Sequence, residues 1–267
     1  MPIITLLTDF GTKDSYVAQM QGVILSALPE ARIVHLGHEI PPQNVRKAGL
    51  FLLAAYGYYP AGTLHVVVVD PGVGTGRKIL AIETSRYRFL VPDNGLIGPV
   101  LENEKLVRAV TVTKRKLFRE PVSTTFHGRD CFAPAAAHWV KHGSLRGLGP
   151  AIPSSMIKRE KLFSAVEATP HGLQGLVMDH DTFGNLITNI HRSDLARLGK
   201  TRKLKTEVLG HAIPGLSTTY ADGKSGEPIA LIGSLGFVEI AVNRGSALKV
   251  LTGKTTFPAR TIRVRIK

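Results

Sequence analysis

The feature that most constrains the fold is a six-residue run, LHVVVV at Leu64–Val69, which is apolar except for His65. A short apolar run bounded by turn residues is typical of a strand that is buried on both faces. Ile3–Leu7 and Ile33–Leu36 are similar runs, and apolar residues recur at helical spacing over 14–28 and 45–56. Strands that alternate with helices predict a layered α/β domain with a largely parallel sheet.

The same domain is predicted to continue through four further segments: a hairpin of Ile79–Glu83 and Arg88–Val91, a short helix at 95–102, a strand at 107–112 and a helix at 127–142. After residue 168 the pattern changes to short strand-like segments that glycine and proline turns separate. These segments are 173–178, 186–190, 204–209, 229–232, 237–242 and 261–266, with helical patterns only at 191–198 and 246–251. We therefore predict an α/β domain over 1–167 and a smaller, mainly antiparallel β-barrel-like domain over 168–267.

The composition favours a globular protein of the cytoplasm. The chain has 267 residues and is 43% hydrophobic, which is ample for packed cores. No apolar run approaches the roughly 18 residues that a transmembrane helix needs. The first residues, MPIITLLTDFG, are interpreted as a strand and not as a signal peptide. A single cysteine, Cys131, excludes an internal disulfide framework and suits a reducing compartment.

A net charge of +14 raises the possibility of a nucleic-acid-binding protein. The charge is uneven, because the first 100 residues hold 8 basic and 7 acidic residues and the other 167 hold 26 and 13. The basic residues of the second part are scattered over separate elements, and few aromatic residues lie among them, unlike a stacking platform for bases. A solvated basic surface is the simpler interpretation, and nucleic acid is an unexpected partner.

Three polar motifs follow or precede predicted elements where α/β enzymes collect ligand-binding groups, at the carboxyl ends of strands. Asp9 follows the first strand, and Asp14 comes five residues later. DPGVGTGR, from Asp70 to Arg77, follows the LHVVVV strand, and FHGRD contains His127. Asp9 could cap the next segment or accept hydrogen bonds from a ribose diol, and its spacing does not decide between the two.

Simpler interpretations compete for each motif. The glycine loop lacks the spacing of a phosphate-binding or dinucleotide fingerprint, so it is either a tight turn or a device that aims Asp70 and Arg77 into one site. His138 and His142 lie four residues apart on a predicted helix, but the zinc-protease pattern is absent and no metal is expected. Cys131 is more typical of a small buried residue than of a nucleophile.

Six motifs in order resemble one family, the S-adenosyl-L-methionine (SAM) hydroxide adenosyltransferases, or adenosine-forming SAM hydrolases, which are related to the fluorinase and chlorinase. The motifs are TDFGTKDSYVAQMQGVI, VVDPGVGTGR, PDNGL, FHGRDCFAPAAA, DTFGNLITNI and SLGFVEIAVN, and the resemblance runs from about residue 3 to 250. It implies a homotrimer with the site between the N-terminal domain of one subunit and the C-terminal domain of its neighbour. It also implies hydrolysis of SAM to adenosine and methionine without a cofactor.

The resemblance assigns roles residue by residue. The catalytic set falls on Asp70, Arg77 and His127, and the ribose-binding carboxylate falls on Asp9. The other substrate contacts it implies are Asp14, Phe126, Asp181, Phe183, Asn185, Tyr220, Ser234, Glu239 and Val242. Of these, Asn185 belongs to the adenine side and Asp14 and Asp181 to the methionine ammonium, with Asp179 as an alternative to Asp181.

Departures from the halogenating relatives favour water as the nucleophile. Those enzymes have a different residue where Asp70 stands, a serine of the halide pocket where Gly128 stands, and an insertion after the glycine-rich loop. A SAM-dependent 5′-halogenase is therefore the alternative enzyme. Asn44 replaces the aspartate that is more usual in the family's PPxDV motif, which concerns only the start of a helix.

Overall fold

We describe a computed structural model of the chain over residues 1–160, 166–198, 204–256 and 263–267. The chain divides into two compact units, Met1–Glu160 and Lys161–Lys267. The described part contains no helix long and apolar enough to cross a membrane.

The first unit is built on a six-stranded, mostly parallel sheet. Its strands are β1 (Ile3–Thr8), β2 (Arg32–Gly37), β3 (Leu64–Val68), β4 (Ile79–Thr84), β5 (Arg88–Pro92) and β6 (Leu106–Thr111). They lie in the order β2-β1-β3-β5-β4-β6. The first four of that order run parallel, whereas β4 pairs antiparallel with both β5 and β6. The α/β fold with a largely parallel sheet is thus confirmed.

Helices cover both faces of this sheet. They are α1 (Tyr16–Ala27), α2 (Val45–Ala55), α3 (Gly98–Asn103) and α4 (Ala133–His142). Alternate residues of β3 enter opposite cores, with Val66 and Val68 packed in the core of α1 and α4, and Val67 in the core of α2 and α3. Burial on both faces explains why β3 is a continuous apolar run and not an alternating one.

Local chemistry sets where the helices begin. Asn44 caps α2, because its side-chain oxygen accepts a hydrogen bond from the Lys47 N–H at 2.9 Å, so the usual aspartate of this position is not needed. The predicted helix over 127–142 is α-helical only from Ala133, and a π-helical turn at Gly128–Phe132 precedes it. Such π-turns occur frequently at functional sites.

The second unit is an antiparallel barrel that is nearly closed. Its strands are β7 (Glu167–Thr169), β8 (Gly172–His180), β9 (Leu186–His191), β10 (Lys205–Val208), β11 (His211–Pro214), β12 (Pro228–Ile232), β13 (Phe237–Val242) and β14 (Arg263–Ile266). The order is β11-β10-β14-β8-β9-β13-β12, with β7 beside β8. A bridge between Ser217 and Leu231 brings the chain after β11 next to β12. The predicted mainly antiparallel second fold is confirmed.

Some boundaries differ from the sequence-based expectation. α3 begins at Gly98 and not at residue 95, and the short strands β7 and β11 were not predicted. The pattern at 191–198 forms a single α-turn, α5 (Arg192–Leu195), followed by a 3₁₀ turn, and α6 spans Ala247–Thr252. Part of the strand predicted at 261–266 lies outside the described residues.

Candidate active site

A cleft opens where the strand order of the first sheet reverses, between β1 and β3. Thr8 lies opposite Val68 in the parallel register, so Asp9 and Asp70 emerge at the same edge of the sheet. Ligands of open α/β sheets bind at this type of switch point, beyond the carboxyl ends of the strands. The cleft has a volume of about 310 Å³. Its lining is Asp9, Phe10, Tyr16, Pro42, Gln43, Val68, Asp70, Val73, Thr125, Phe126, His127 and Gly128.

Asp70 and Arg77 form a buried ion pair beside this cleft. Arg77 Nε donates to Asp70 Oδ1 at 3.0 Å, and Arg77 Nη2 donates to Asp70 Oδ2. The side chains are only 4% and 6% exposed, respectively. The Gly72 N–H also donates to Asp70 Oδ1, at 3.2 Å. The bidentate geometry fixes the orientation of the carboxylate, which a lysine could not do.

His127 contacts the same guanidinium. Arg77 Nη2 lies 3.2 Å from Nδ1 of His127. Burial lowers the pKa of His127, and the positive charge of Arg77 lowers it further, against the opposing effect of Asp70. A neutral imidazole is therefore held within reach of a fixed carboxylate, an arrangement that can hold a water molecule and accept its proton.

The glycine-rich loop brings Asp70 and Arg77 together across seven positions. Thr75 Oγ1 donates to the Gly72 carbonyl at 2.7 Å, which closes a tight turn inside the loop. At Gly74, where φ is +76°, a β-carbon would lie 2.6 Å from the Thr124 carbonyl oxygen. Both open interpretations of the loop hold, since it is a tight glycine path and it aims the two charged side chains at one point.

Asp9 is half-buried at the edge of the cleft. Its Oδ2 accepts a hydrogen bond from the Gln43 N–H at 2.7 Å. Burial raises the pKa of Asp9, the Gln43 N–H opposes that effect, and the nearby negative charge of Asp70 adds to it. Asp9 does not cap α1, because Ser15 is the residue before that helix and makes no side-chain cap. The diol interpretation remains a prediction.

Three aromatic rings form one wall of the cleft. Phe126 lies 5.7 Å from Phe10 and 5.0 Å from Tyr16, centroid to centroid, in edge-to-face arrangements. The Arg129 guanidinium lies 5.1 Å from the Phe126 centroid and also binds the buried Asp130 through two nitrogens. The π-turn is thus anchored by the ion pair of Arg129 and Asp130.

In the second unit, the loop after β8 gathers Asp181 and Asn185. Asp181 Oδ1 accepts hydrogen bonds from the Phe183 and Asn185 N–H groups, both at 2.9 Å. Asp181 Oδ2 accepts from Asn185 Nδ2 at 2.8 Å. The carboxylate therefore orients the amide side chain, and the exposed ring of Phe183 lies at the tip of the same loop.

A second pair lies close to that loop. The Tyr220 hydroxyl donates to Glu239 Oε2 at 3.0 Å. Burial raises the pKa of Glu239, and the charge of Asp181 raises it further. Burial and the Glu239 charge raise the pKa of Tyr220 to about 12. Glu239 lies opposite Ile187 of β9, the strand that begins directly after the loop of Asp181 and Asn185.

The structure does not gather every predicted contact. Asp14 is exposed and does not line the cleft of the first unit. Val242 is buried in the hydrophobic core of the second unit, so its side chain is not exposed to a ligand. Ser234 lies exposed in the turn between β12 and β13. Asp179 is buried and lies 3.2 Å from His180 Nδ1, which leaves Asp181 as the carboxylate of the exposed loop.

The histidine pair and the cysteine do not line the cleft. His138 and His142 do stack, with centroids 4.3 Å apart, but the described residues contain no group of three His, Cys, Asp or Glu side chains that could hold a metal ion. Cys131 is buried, and burial raises the pKa of its thiol to about 11, which disfavours the reactive thiolate.

Comparison with known proteins accounts for both units. The N-terminal domain of the SAM hydroxide adenosyltransferases matches residues 4–149, and the C-terminal domain matches residues 175–256. The chain belongs to the SAM hydroxide adenosyltransferase family. The resemblance of the six motifs is therefore confirmed.

Relatives within this family carry two kinds of name. The chain is 36% identical to a protein of Thermus thermophilus named (R)-S-adenosyl-L-methionine hydrolase, over 96% of this chain and 98% of that protein. A protein of Salinispora tropica with the same name is 35% identical, over 94% of each chain. A fluorinase of Actinoplanes sp. is 29% identical, over 91% of each chain. The crystal structure of an uncharacterised conserved protein from Thermotoga maritima superposes with a TM-score of 0.86 at 34% identity, covering 98% of this chain and 99% of that one.

The sequence did not predict several of the residues that line the cleft. Phe10, Tyr16 and Gln43 line the cleft but were not predicted to do so. The first two stand beside predicted residues in TDFGTKDSY, so proximity in the motif was the available signal. Gln43 follows two prolines in a turn, and nothing in the sequence places it next to Asp9.

Proposed function

We propose that this protein hydrolyses SAM to adenosine and L-methionine by in-line attack of water on the ribose C5′. The observation that carries the proposal is the Asp70–Arg77–His127 cluster at the switch-point cleft of the first unit. The family and the hydrolases among its relatives support the same activity.

The reaction makes specific demands on the site. The water oxygen forms a bond to C5′ while the C5′–sulfur bond breaks. The electron pair of the broken bond stays on the sulfur. Methionine leaves as a neutral thioether, so the leaving group needs no general acid. The water must lose one proton, and it must lie about 3–3.5 Å behind C5′ with a lone pair aimed at the carbon.

Asp70 and His127 divide these tasks. Arg77 donates a hydrogen bond to Nδ1 of His127. The opposite nitrogen, Nε2, therefore carries the hydrogen, which can bind the water oxygen. Asp70 accepts a hydrogen bond from the water and takes up the proton that the water loses. Arg77 holds both groups in place. Base assistance of this kind is typically worth about 10²–10⁴ in rate.

Substrate binding uses the remaining polar groups of both units. Asp9 accepts hydrogen bonds from the ribose diol, and Phe126 packs against the nucleoside. Asn185 and Phe183 recognise adenine. Carboxylates attract the methionine ammonium, a role for Asp181, Asp14 and Glu239, while Tyr220, Ser234 and the Val242 backbone complete the pocket. Carboxylates also suit a substrate whose sulfonium is cationic.

We propose that the active form is a homotrimer in which the first unit of one subunit and the second unit of its neighbour form each site. The support is that predicted site residues fall into two clusters, one in each unit.

Light scattering gives the mass of the assembly. Inactive D70N and N185A proteins, unfolded and refolded together, should regain activity, since mixed trimers contain sites with both halves intact. A monomeric mass would contradict the trimer. So would failure of the refolded mixture to regain activity under conditions in which refolded wild-type protein recovers its activity.

The relatives' name specifies the R configuration at sulfur, and we propose that this chain prefers the same epimer. SAM enriched in either epimer provides the test. The R epimer should disappear first from a mixture, as followed by chiral or proton NMR. Equal consumption of the two epimers would contradict the preference.

The reaction needs no metal or other cofactor, and we place the protein in the cytoplasm. Dialysis against EDTA should leave turnover unchanged, and cell fractionation should recover the protein with cytoplasmic markers. Binding to nucleic acid is not expected to be specific. It should be weak and should weaken steeply with added salt.

Halide is the alternative nucleophile. A β-carbon on Gly128 would lie 3.1 Å from Met20 Sδ and 3.2 Å from Phe126 Cε2, so the structure has little room for the serine that the halide pocket of the halogenating relatives uses. Water is thus favoured. Formation of 5′-chloro- or 5′-fluoro-5′-deoxyadenosine in the presence of the halide would contradict this preference.

The decisive experiment is turnover of SAM in water enriched in ¹⁸O. Mass spectrometry should find the label in the 5′-hydroxyl of adenosine and not in methionine. A D70N variant should form little of either product, which excludes contaminating activity. Absence of adenosine from the wild-type reaction, or adenosine without label, would overturn the proposed function.

A further inference from the structure

Gln43 has a backbone conformation that its residue type disfavours. Its φ is +63°, and only three described residues other than glycine have positive φ. The other two lie in tight turns: Leu209 precedes Gly210 in the β10–β11 hairpin, and Arg244 lies in a turn that the Gly245 N–H closes with the Val242 carbonyl at 3.1 Å. Gln43 also lies in a turn, but unlike the other two it lines the candidate active site.

A tight turn accounts for this conformation. The Asn44 N–H donates to the Pro41 carbonyl at 3.0 Å, which closes a four-residue turn. Pro42 is its second residue and Gln43 its third, the arrangement of a type II turn, in which the third residue requires positive φ and is usually glycine or asparagine. Asn44 then caps α2, so the turn joins the cleft directly to a helix.

The consequence of the turn is the direction of one N–H group. The Gln43 N–H donates to Asp9 Oδ2 at 2.7 Å. The segment between β2 and α2, which contains Gln43, also contacts the loop that follows β1. There the Gly11 N–H donates to the His38 carbonyl at 2.8 Å. The Gln43 N–H thereby holds one carboxylate oxygen of Asp9 in place at the edge of the cleft. A residue with negative φ at position 43 would turn the N–H away.

We propose that Gln43 is a positioning residue for the ribose. Its left-handed backbone orients Asp9, which binds the ribose, and its side chain takes no part in this recognition. This inference rests on the proposed function, because it gives Asp9 the ribose diol as its ligand. The ligand class that it predicts is a nucleoside with free 2′ and 3′ hydroxyls. The chemical step at C5′ lies with other residues, so substitutions at position 43 should act on binding more than on turnover.

Three variants separate the backbone from the side chain. Q43G keeps the turn, since glycine adopts positive φ readily. Q43A removes the amide but retains an unbranched β-carbon, whereas Q43V is β-branched and resists positive φ most strongly. Calorimetry measures the Kd of adenosine and of 2′,3′-dideoxyadenosine for each protein. Thermal unfolding verifies that each variant is folded.

We expect Q43G and Q43A to bind adenosine like the wild type, and Q43V to bind it about tenfold more weakly, a typical cost of misdirecting a charge-assisted hydrogen bond. The deficit of Q43V should disappear with 2′,3′-dideoxyadenosine, which a merely structural defect would not produce. With SAM, Q43V should raise KM and leave kcat within about twofold, a pattern of lost binding.

Equal binding of adenosine by Q43V and wild type would overturn the inference, as would a loss of affinity in Q43G or Q43A as large as that in Q43V. If Q43V does not fold, Q43G and Q43A still test the backbone role, because a tenfold loss of adenosine affinity in either variant would overturn it. Failure of the proposed function has a different signature, because wild-type protein would then bind no adenosine and release none from SAM.

Discussion

Arg77 Nη2 lies 3.2 Å from Nδ1 of His127, and a guanidinium has no hydrogen-bond acceptor. Nδ1 must therefore be the acceptor, which makes His127 a neutral imidazole with its hydrogen on Nε2. The same guanidinium binds both oxygens of Asp70. One arginine thus sets the orientation of the carboxylate and the tautomer of the histidine.

This contact predicts a measurable titration. Burial and the Arg77 charge lower the pKa of His127 below 6.5, so the neutral form persists to lower pH than in a free histidine. Arg77→Gln removes the positive charge and should raise the pKa of His127. NMR of the imidazole carbons gives the pKa of His127 in the wild type and in the variant. A lower pKa of His127 in the variant would contradict the assigned contact.

Asp70→Asn should lower kcat by about 10²–10⁴ without unfolding the protein, because the amide keeps the shape of the side chain but loses the charge that accepts the proton. Steady-state release of adenosine is the measurement. Glu30→Gln, which neutralises an exposed carboxylate outside the cleft, is the matched control and should turn over like the wild type. Turnover of D70N within threefold of the wild type would exclude Asp70 as the proton acceptor.

Gly128→Ser should destabilise the protein by about 1–3 kcal/mol, because the added atoms press on Met20 and Phe126 in a packed region. Thermal or urea unfolding measures the loss. Gly57→Ser is the control, since a β-carbon there meets nothing within 4 Å, and its stability should be within about 0.5 kcal/mol of the wild type. An equally stable G128S variant would show that the pocket accommodates a serine after all.

His65 predicts loss of stability in acid. It is fully buried between aromatic rings, with Nδ1 at 2.8 Å from Thr5 Oγ1, and burial lowers its pKa to about 4. Because the unfolded chain binds this proton near pH 6.5, the free energy of unfolding should fall as the pH drops from 6.5 towards 4, by up to about 3 kcal/mol.

His65→Phe keeps a stacked ring and removes the titrating group. Urea unfolding at pH 7 and pH 4.5 should therefore show a smaller difference in the variant than in the wild type. His211→Gln, which removes an exposed imidazole, is the control and should behave like the wild type. The lowered pKa of His38 affects all three proteins alike and does not enter the comparison. An unchanged acid sensitivity in H65F would contradict the assignment to His65.

The fold was largely predictable because its signals are local. A continuous apolar run predicts a strand buried on both faces, as in β3, and helical spacing identifies α1 and α2. Short edge strands such as β7 and β11 have at most one buried residue and gave no such signal. The π-turn at Gly128–Phe132 has no recognisable periodicity of its own, so it was merged with the helix that follows.

The sequence by itself determined the strand-end residues Asp9 and Asp70, His127 at the start of a helical segment, the glycine loop and the family to which the chain belongs. These depend on residue types and their order. Only the tertiary structure decided that Arg77 joins Asp70 to His127 and that Gln43 holds Asp9. These contacts link residues 50 and 34 positions apart, and their distances and hydrogen-bond directions follow from the packing of the sheet, its loops and the π-turn. Hydrogen bonds act over about 3 Å, so which groups meet is settled by three-dimensional packing and not by the order of residues along the chain.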